Sequence, residues 1–385
     1  MKIAIDLTAL LPDRTGVDNY LLRLVKSLAR VDRRNQYTIY INREDGSLLR
    51  LPSNFAVVAA SSRSRVVRFV FQQGWLPFAT QWRGVDVVHS PSFIMPLYRG
   101  RQRHVLTIHD MTTFTLPQCH IRLRRSAPYL RGVRMSIERA HRIIVPSVFV
   151  KQEIERVVPR VSDRIRVVPH GIGEEFCPQA IVDAPRVRRE LKLPHDYILY
   201  VGTIEPRKNL VALIRAYGDL LRERAVKQDL VLAGRPGWQT DEVFREAAAP
   251  TLRGKVHFVG YVKDDLLAGL YAGATLFVYP SIAEGFGFPP LEAMACGVPT
   301  ISTSGSSLAE NLEGAAELVS PDDESALRRA IDRLLQDQEC RDRRHRLGLA
   351  RAAEFRWSHA AVATLACYEE LAICDAYNAI EAVDT

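Results

Sequence analysis

Two carboxylates, Glu284 and Glu292, stand eight residues apart in EGFGFPPLEAMACG, residues 284–297. An apolar run at residues 275–280 precedes them and reads as a buried strand. Pro289 and Pro290 suit the first turn of a helix, and Gly297 suits the position just past its end. The spacing therefore predicts a strand, a glycine-rich turn and a short helix. In open α/β sheets, ligands bind at such turns, beyond the carboxyl ends of the strands. A helix start presents backbone N–H groups and a partial positive charge, which favour an anion. An acid at each end of an anion-favouring turn points to a ligand with both phosphates and hydroxyls. A nucleotide sugar has both.

A second cluster is VGTIEPRKN, residues 201–209, between a predicted strand and a predicted helix. Arg207 and Lys208 then lie at a strand-to-helix turn, where a planar fork and a compact charge suit a diphosphate. A third is LPDRTGVDNY, residues 11–20, after the first predicted strand. Gly16 there lets the backbone approach a ligand closely. In TIHD, residues 107–110, His109 is placed to emerge at a strand end, with a near-neutral pKa suited to proton movement. Asp110 is its expected orienting partner. Residues 120–142 interleave Arg122, Arg124, Arg125, Arg131, Arg134, Arg139 and Arg142 with apolar side chains. That pattern fits either an anionic membrane surface or a solvated helix face.

The elements that must position these residues alternate regularly. Strands are predicted at residues 2–7, 37–41, 54–60, 85–89, 104–109 and 143–146. The helical spacing of Leu21, Leu24, Val25 and Leu28 predicts a helix over 20–30. Prolines and glycines crowd residues 168–194, and then the pattern restarts. Strands follow at 197–201, 230–233, 256–258, 276–279 and 299–302, with helices at 210–221 and 264–272. Residues 322–375 read as mostly helical. Strands separated by helices imply parallel pairing. The chain is thus α/β, with two Rossmann-like domains and an interdomain cleft. The expected bounds are 1–172 for an acceptor-side domain, 173–192 for a linker and 193–359 for a nucleotide-sugar-binding domain. Residues 360–385 are expected to form a last helix, one that could cross back to the first domain.

At 385 residues the chain exceeds one typical core. Residues 1–180 carry 28 Lys and Arg against 14 Asp and Glu, whereas the remainder carries 24 against 30. The basic first half is expected to face something anionic. The six cysteines show no CxxC pair or zinc spacing, which predicts reduced thiols in the cytoplasm. No apolar run approaches the roughly 20 residues of a membrane span. Any membrane contact is expected to be peripheral, on the inner face of the cytoplasmic membrane.

Taken together, the Glu284–Glu292 spacing in its context, Arg207-Lys208 in GTIEPRKNL, Gly16, FVGYV at 258–262 and SGSSLAE at 304–310 resemble glycosyltransferase family 4. The resemblance spans nearly the whole chain. With the TIHD form, it is nearest to bacterial mannosyltransferases of surface-polysaccharide assembly. It implies the GT-B fold and retaining transfer of a hexose from a nucleotide sugar, with GDP-mannose the first expectation. The implied acceptor is a lipid-linked saccharide in lipopolysaccharide or exopolysaccharide assembly. It also implies roles. Arg207 and Lys208 bind the diphosphate and stabilise the leaving nucleotide. Backbone amides of Phe286, Gly287 and Phe288 hold sugar or phosphate, while Glu284 contacts the transferred sugar and Glu292 the ribose. His109 lies near the anomeric centre, Gly16 at the phosphates and Val262 near the base. Arg122, Arg124, Arg125, Arg131 and Arg134 face acceptor or membrane. No cofactor or metal is implied, and the sequence has no Asp-x-Asp triplet. The first loop departs from the family pattern by carrying one glycine where many members carry two.

A UDP-sugar donor is the alternative within this class. A nucleotide-sugar epimerase shares the architecture but leaves the basic stretch unexplained. Nucleic-acid binding has only the basic half in its favour and no supporting motif.

Overall fold

Runs of Val, Ile, Leu and Tyr form two separate parallel sheets. The computed structural model describes residues 1–11, 15–120 and 126–381, with 373–381 as backbone alone. The first sheet contains β1 (Lys2–Asp6), β2 (Gln36–Asn42), β3 (Phe55–Ser61), β4 (Val87–Ser90), β5 (Arg103–Thr107), β6 (Arg142–Val145) and β7 (Ile165–Val167). Its order is β3-β2-β1-β4-β5-β6-β7. The second contains β8 (Tyr197–Val201), β9 (Asp229–Ala233), β10 (Val256–Gly260), β11 (Leu276–Tyr279), β12 (Thr300–Thr303) and β13 (Glu317–Val319). Its order is β10-β9-β8-β11-β12-β13. The pairings are parallel throughout, for example Ile3 with Tyr37 and Val87, and Phe277 with Leu199 and Thr300.

Central strands are buried on both faces, so they read as continuous apolar runs rather than alternating ones. Every residue of β11, LFVY, is buried. The two short edge strands, β7 and β13, have no such run and are not expected from the sequence.

The chain divides into two compact units. One comprises Met1–Thr115, Arg122–Gly171 and Arg356–Thr385. The other comprises Leu116–Ile121 and Ile172–Phe355. Segment 173–192, read from the sequence as a linker, folds within the second unit as a 3-10 turn (Pro178–Asp183) and a helix (Ala184–Leu191). The helix Trp357–Glu381 packs with the first unit, against helix Gly16–Val31. Its Tyr368 hydroxyl lies 2.7 Å from His89 Nδ1, and its Glu370 accepts from Arg142 and Arg166 at 3.0 and 2.9 Å. Among the described residues, no helix is long and apolar enough to cross a membrane.

In each sheet the strand order reverses at one place, between β1 and β4 and between β8 and β11. Loops leaving adjacent strands at such a reversal diverge and open a crevice. In the second unit those loops are 202–209 and 280–287, which carry Arg207, Lys208 and Glu284.

Candidate functional site

Three βα turns build the site in the second unit. After β11, residues 280–287 turn into the helix Phe288–Ala295, with prolines in its first turn. Gly287 has φ of +89°, and a Cβ there would sit 2.5 Å from Leu308 Cδ2. Only glycine takes this backbone without strain. Gly297, also left-handed, ends the helix as the sequence predicts. After β8, a 3-10 turn (Pro206–Lys208) carries the two cations, and Asn209 at φ of +55° turns the chain into helix Leu210–Glu223. After β9, Gly234 comes so close that a Cβ would lie 1.9 Å from the Gly202 carbonyl oxygen. The loops after β8 and β9 therefore pack backbone to backbone.

Glu284 is the centre of a buried charged cluster. Its Oε1 accepts from Lys208 Nζ at 2.5 Å, Ser281 Oγ at 2.6 Å and Tyr279 Oη at 3.1 Å. Its Oε2 lies 2.7 Å from Arg207 Nη1. Arg207 also donates to the Ala283 carbonyl at 2.6 Å and to Glu205 Oε1 at 2.8 Å. Lys208 Nζ also donates to Tyr279 Oη at 2.6 Å, and the Tyr279 hydroxyl donates in turn to Glu284 Oε1. Burial alone would raise the Glu284 carboxyl. The Arg207 and Lys208 charges outweigh burial and pull it down to about 2. Burial, followed by the Arg207 charge, lowers the Lys208 ammonium against the opposing pull of Glu284 and Glu205. Two acids and two bases thus balance at the mouth of the switch point.

The backbone around Glu284 is fixed from the next βα turn. Glu284 N donates to Ser306 Oγ at 2.9 Å, Ser307 Oγ donates to the Glu284 carbonyl at 2.8 Å, and Asn311 Nδ2 donates to the Phe286 carbonyl at 2.7 Å. Phe286 is buried, 5.0 Å from the Phe288 ring and 5.6 Å from Phe355. On the helix, Glu292 Oε2 accepts from Tyr271 Oη at 3.0 Å. Val262, buried, follows β10, and the Arg235 guanidinium lies over the neighbouring Tyr261 ring at 4.4 Å.

Gly16 and His109 lie in the first unit. Gly16 is exposed at the start of helix Gly16–Val31, with Thr15 N and Oγ both 2.7 Å from Asp18. His109 sits in the loop after β5, two residues beyond the strand's end at Thr107. Its Nε2 meets the Pro91 carbonyl at 3.0 Å, and its Nδ1 meets His170 Nε2 at 3.4 Å. A carbonyl only accepts, so His109 carries its proton on Nε2 and accepts through Nδ1. Asp110, the expected orienting partner, instead accepts from Thr112 N at 3.0 Å and Oγ1 at 2.5 Å. His170 and Pro91 orient His109. Burial pushes His109 below its ordinary pKa, and pushes His170 well below it.

Neither His89 nor His170 stands out in the sequence, because a single histidine in an apolar strand or loop carries no spacing signal. Glu205, Tyr279 and Ser281 are likewise set only by the fold. Arg131 and Arg134 lie on helix Ala127–Arg139, where Arg134 pairs with Glu138 one turn on at 3.0 Å. Arg122, Arg124 and Arg125 lie outside the described residues. Among the described residues, no cluster of three His, Cys, Asp or Glu is placed to hold a metal ion.

The chain as a whole is similar to known proteins. Residues 183–351 match the family described as Glycosyl transferases group 1, and residues 14–176 match Glycosyltransferase Family 4. The O-antigen chain mannosyltransferase B of Escherichia coli is 32% identical over 371 residues, covering 93% of this chain and 96% of that protein. The serotype-specific mannosyltransferase WbdA of Escherichia coli is 36% identical over 282 residues, covering 71% of this chain but 34% of the longer WbdA. Among solved structures, sucrose-phosphate synthase from Thermosynechococcus elongatus superposes with a TM-score of 0.76 at 22% identity, covering 97% of this chain and 99% of that one. That likeness speaks to the fold, which is GT-B. With a relative 32% identical along nearly its whole length and both halves matched by family, the chain belongs to glycosyltransferase family 4 and is a glycosyltransferase.

Proposed function

We propose that the chain transfers mannose from GDP-mannose, with retention, to a lipid-linked saccharide in O-antigen or related polysaccharide assembly. The observation that carries this reading is the 32% identity to an O-antigen chain mannosyltransferase over 93% of the chain. The charged cluster at the β8–β11 switch point supports it chemically.

In this reading Arg207 and Lys208 take the donor diphosphate. Both are already compensated by Glu284 and Glu205, so donor binding redistributes their hydrogen bonds rather than neutralising bare cations. As the sugar–phosphate bond breaks, negative charge grows on the leaving nucleotide, and these preorganised donors stabilise it. The acceptor hydroxyl attacks the anomeric carbon from the leaving-group face. Its proton passes to the departing phosphate oxygen. Glu284 contacts the transferred sugar, with amides of 286–288 beside it. Glu292 takes the ribose hydroxyls, and Val262 borders the base. Gly16 is read as a backbone contact for the donor. His109, a neutral Nε2–H tautomer, contributes to the sugar pocket through its ring edge and backbone. The basic residues of the first unit, Arg131 and Arg134 among them, face an anionic membrane from the cytoplasmic side.

A thermal-shift panel of GDP- and UDP-sugars tests the donor. A ligand at a hundred times its Kd stabilises the fold by about 2.7 kcal/mol. GDP-mannose is expected to raise Tm more than UDP-glucose. A shift with UDP-sugars alone would overturn the mannosyl reading and leave the family assignment standing.

A further inference from the structure

Residues 65–82 of the first unit form one continuous helical run. It comprises an α-helix (Arg65–Val70), a five-residue π turn (Phe71–Trp75) and a second α-helix (Leu76–Trp82). The core side is set by buried Phe71 and Leu76. The outer side is unusual. Val66 is 72% exposed, Val70 61%, Phe78 63% and Trp82 91%. These residues fall on the four-residue series 66, 70, 74, 78, 82, with Gly74 in the middle.

In a regular α-helix, a four-residue series drifts by about 160° over 16 residues, so such a row would wind into the core. One π turn inserts an extra residue per turn and takes back about 100°. The π turn at Phe71–Trp75 therefore keeps the apolar row on one side over a length of about 24 Å. Tyr98 stacks on Phe78 with ring centroids 5.6 Å apart, which widens the row. Trp75 is tied back by an edge contact to buried Tyr40 at 5.8 Å.

Charge tells what covers this face. Residues 46–109 hold eight arginines and one acidic residue, Asp86. Arg65, Arg68 and Arg83 flank the apolar row at its two ends. None of the three forms a salt bridge among the described residues. An apolar row with aromatic residues, bordered by unpaired arginines and free of carboxylates, matches the interfacial zone of an anionic bilayer. Arginine heads reach lipid phosphates while their stems lie along the apolar surface.

We propose that residues 65–82, with Tyr98, dock in-plane on an anionic membrane surface, placing Val66, Val70, Phe78 and Trp82 among the acyl-chain boundary. The lipid-linked acceptor reading supplies its purpose and rests on separate observations.

The test uses the full chain and vesicles of phosphatidylethanolamine with phosphatidylglycerol, against phosphatidylcholine vesicles. The chain is expected to sediment with the anionic vesicles and to release in high salt. Phe78→Ser with Trp82→Ser removes side chains already in water, so Tm is expected to hold while vesicle binding falls at least about tenfold. Arg65→Glu with Arg68→Glu lowers it by a similar factor. Emission from Trp82 shifts to the blue on binding, and the shift is lost in the serine variant. Unchanged vesicle binding by the serine variant overturns the proposal. So does a lipid-free dimer of the wild-type chain that this variant dissolves, since a second copy would then cover the face. Donor-induced Tm shifts measured in the same samples separate the two readings. A chain that takes no nucleotide sugar yet binds vesicles through this face loses the transferase donor reading alone. A chain that takes the donor and binds no better than its serine variant loses the docking proposal alone.

Discussion

Each unit buries a polar cluster beside its strand-order reversal, and the two clusters are built on opposite electrostatic plans. In the second unit Glu284, Arg207, Lys208 and Glu205 are charged and compensate one another through contacts of 2.5 to 2.8 Å. In the first, His89, His109 and His170 are buried and neutral. Burial, followed by the neighbouring His109, pushes His89 down to about 3. Its Nδ1 meets Tyr368 Oη at 2.7 Å and its Nε2 meets Thr107 Oγ1 at 2.8 Å, and Thr107 in turn meets Tyr20 Oη at 3.1 Å. A compensated ionic cluster can exchange one anion for another and suits a diphosphate. A neutral hydrogen-bonded cluster holds shape but offers no net charge to a ligand. The proposed reading follows this difference, with donor chemistry in the second unit and positioning in the first.

The largest test of that division is Lys208→Ala. Losing one preorganised cation at the leaving group is expected to cut kcat/KM by at least about a hundredfold. Near-normal transfer would remove Lys208 from the site. Glu292→Ala is expected to reduce transfer severely as well, mainly through KM, because ribose contacts bind ground and transition states alike. Neither change is expected to unfold the chain, since each leaves the sheet intact.

Glu284→Gln probes the ionic plan itself. It leaves two buried cations short of a carboxylate and is expected to destabilise the second unit by about 3 kcal/mol. Combined with Lys208→Met, the loss is expected to be smaller than the two single losses together, because the double variant restores the balance. Additive losses in urea unfolding would mean that the two groups do not depend on each other.

These residues differ in how far the sequence betrays them. Arg207, Lys208 and Glu284 were legible because buried parallel strands, YILYV and LFVY, are continuous apolar runs whose ends can be located. Chemistry-bearing residues just past those ends stand out. Glu205, Tyr279 and Ser281 were not legible, since nothing in their spacing says that three different loops and strands converge. The run 65–82 is not legible for another reason: its apolar residues face outward, so its sequence shows no apolar stripe turned towards a core. The reverse holds for Arg134, whose pairing with Glu138 lessens its value as a membrane contact. Helix spacing alone could have suggested that pair, being one turn apart.

Acid separates the two clusters by pH window. The unfolded chain protonates His89 near its ordinary 6.5, whereas the folded chain resists until about 3. Between those values the unfolded state binds more protons, so stability falls as pH drops. At pH 5 the first unit is expected to lose about 2 kcal/mol from this group alone. Glu284, held near 2 against an ordinary 4.5, contributes stability that is full above 4.5 and lost only below it. Hydrogen exchange at pH 7 and pH 5, corrected for intrinsic rates, is expected to show β4 and β5 losing protection while β8 and β11 hold. Equal losses in both sheets would erase the distinction between neutral and compensated burial.

The smallest expected effect concerns how the neutral cluster bears on chemistry. His109 Nδ1 accepts from His170 Nε2 at 3.4 Å, a long contact worth no more than about 1 kcal/mol. His170 also lies parallel to Trp357, 6.1 Å away at 10°, so its ring is held by packing as well. His170→Leu keeps most of that packing and removes the donor, whereas His170→Gln can still donate from its amide. If His170 positions His109, the leucine variant is expected to lose about fivefold in kcat with KM for the donor unchanged, and the glutamine variant to recover most of it. A purely structural role predicts a fall in Tm for both variants with kcat untouched. The glutamine rescue decides between them, because it restores one hydrogen bond and not the ring.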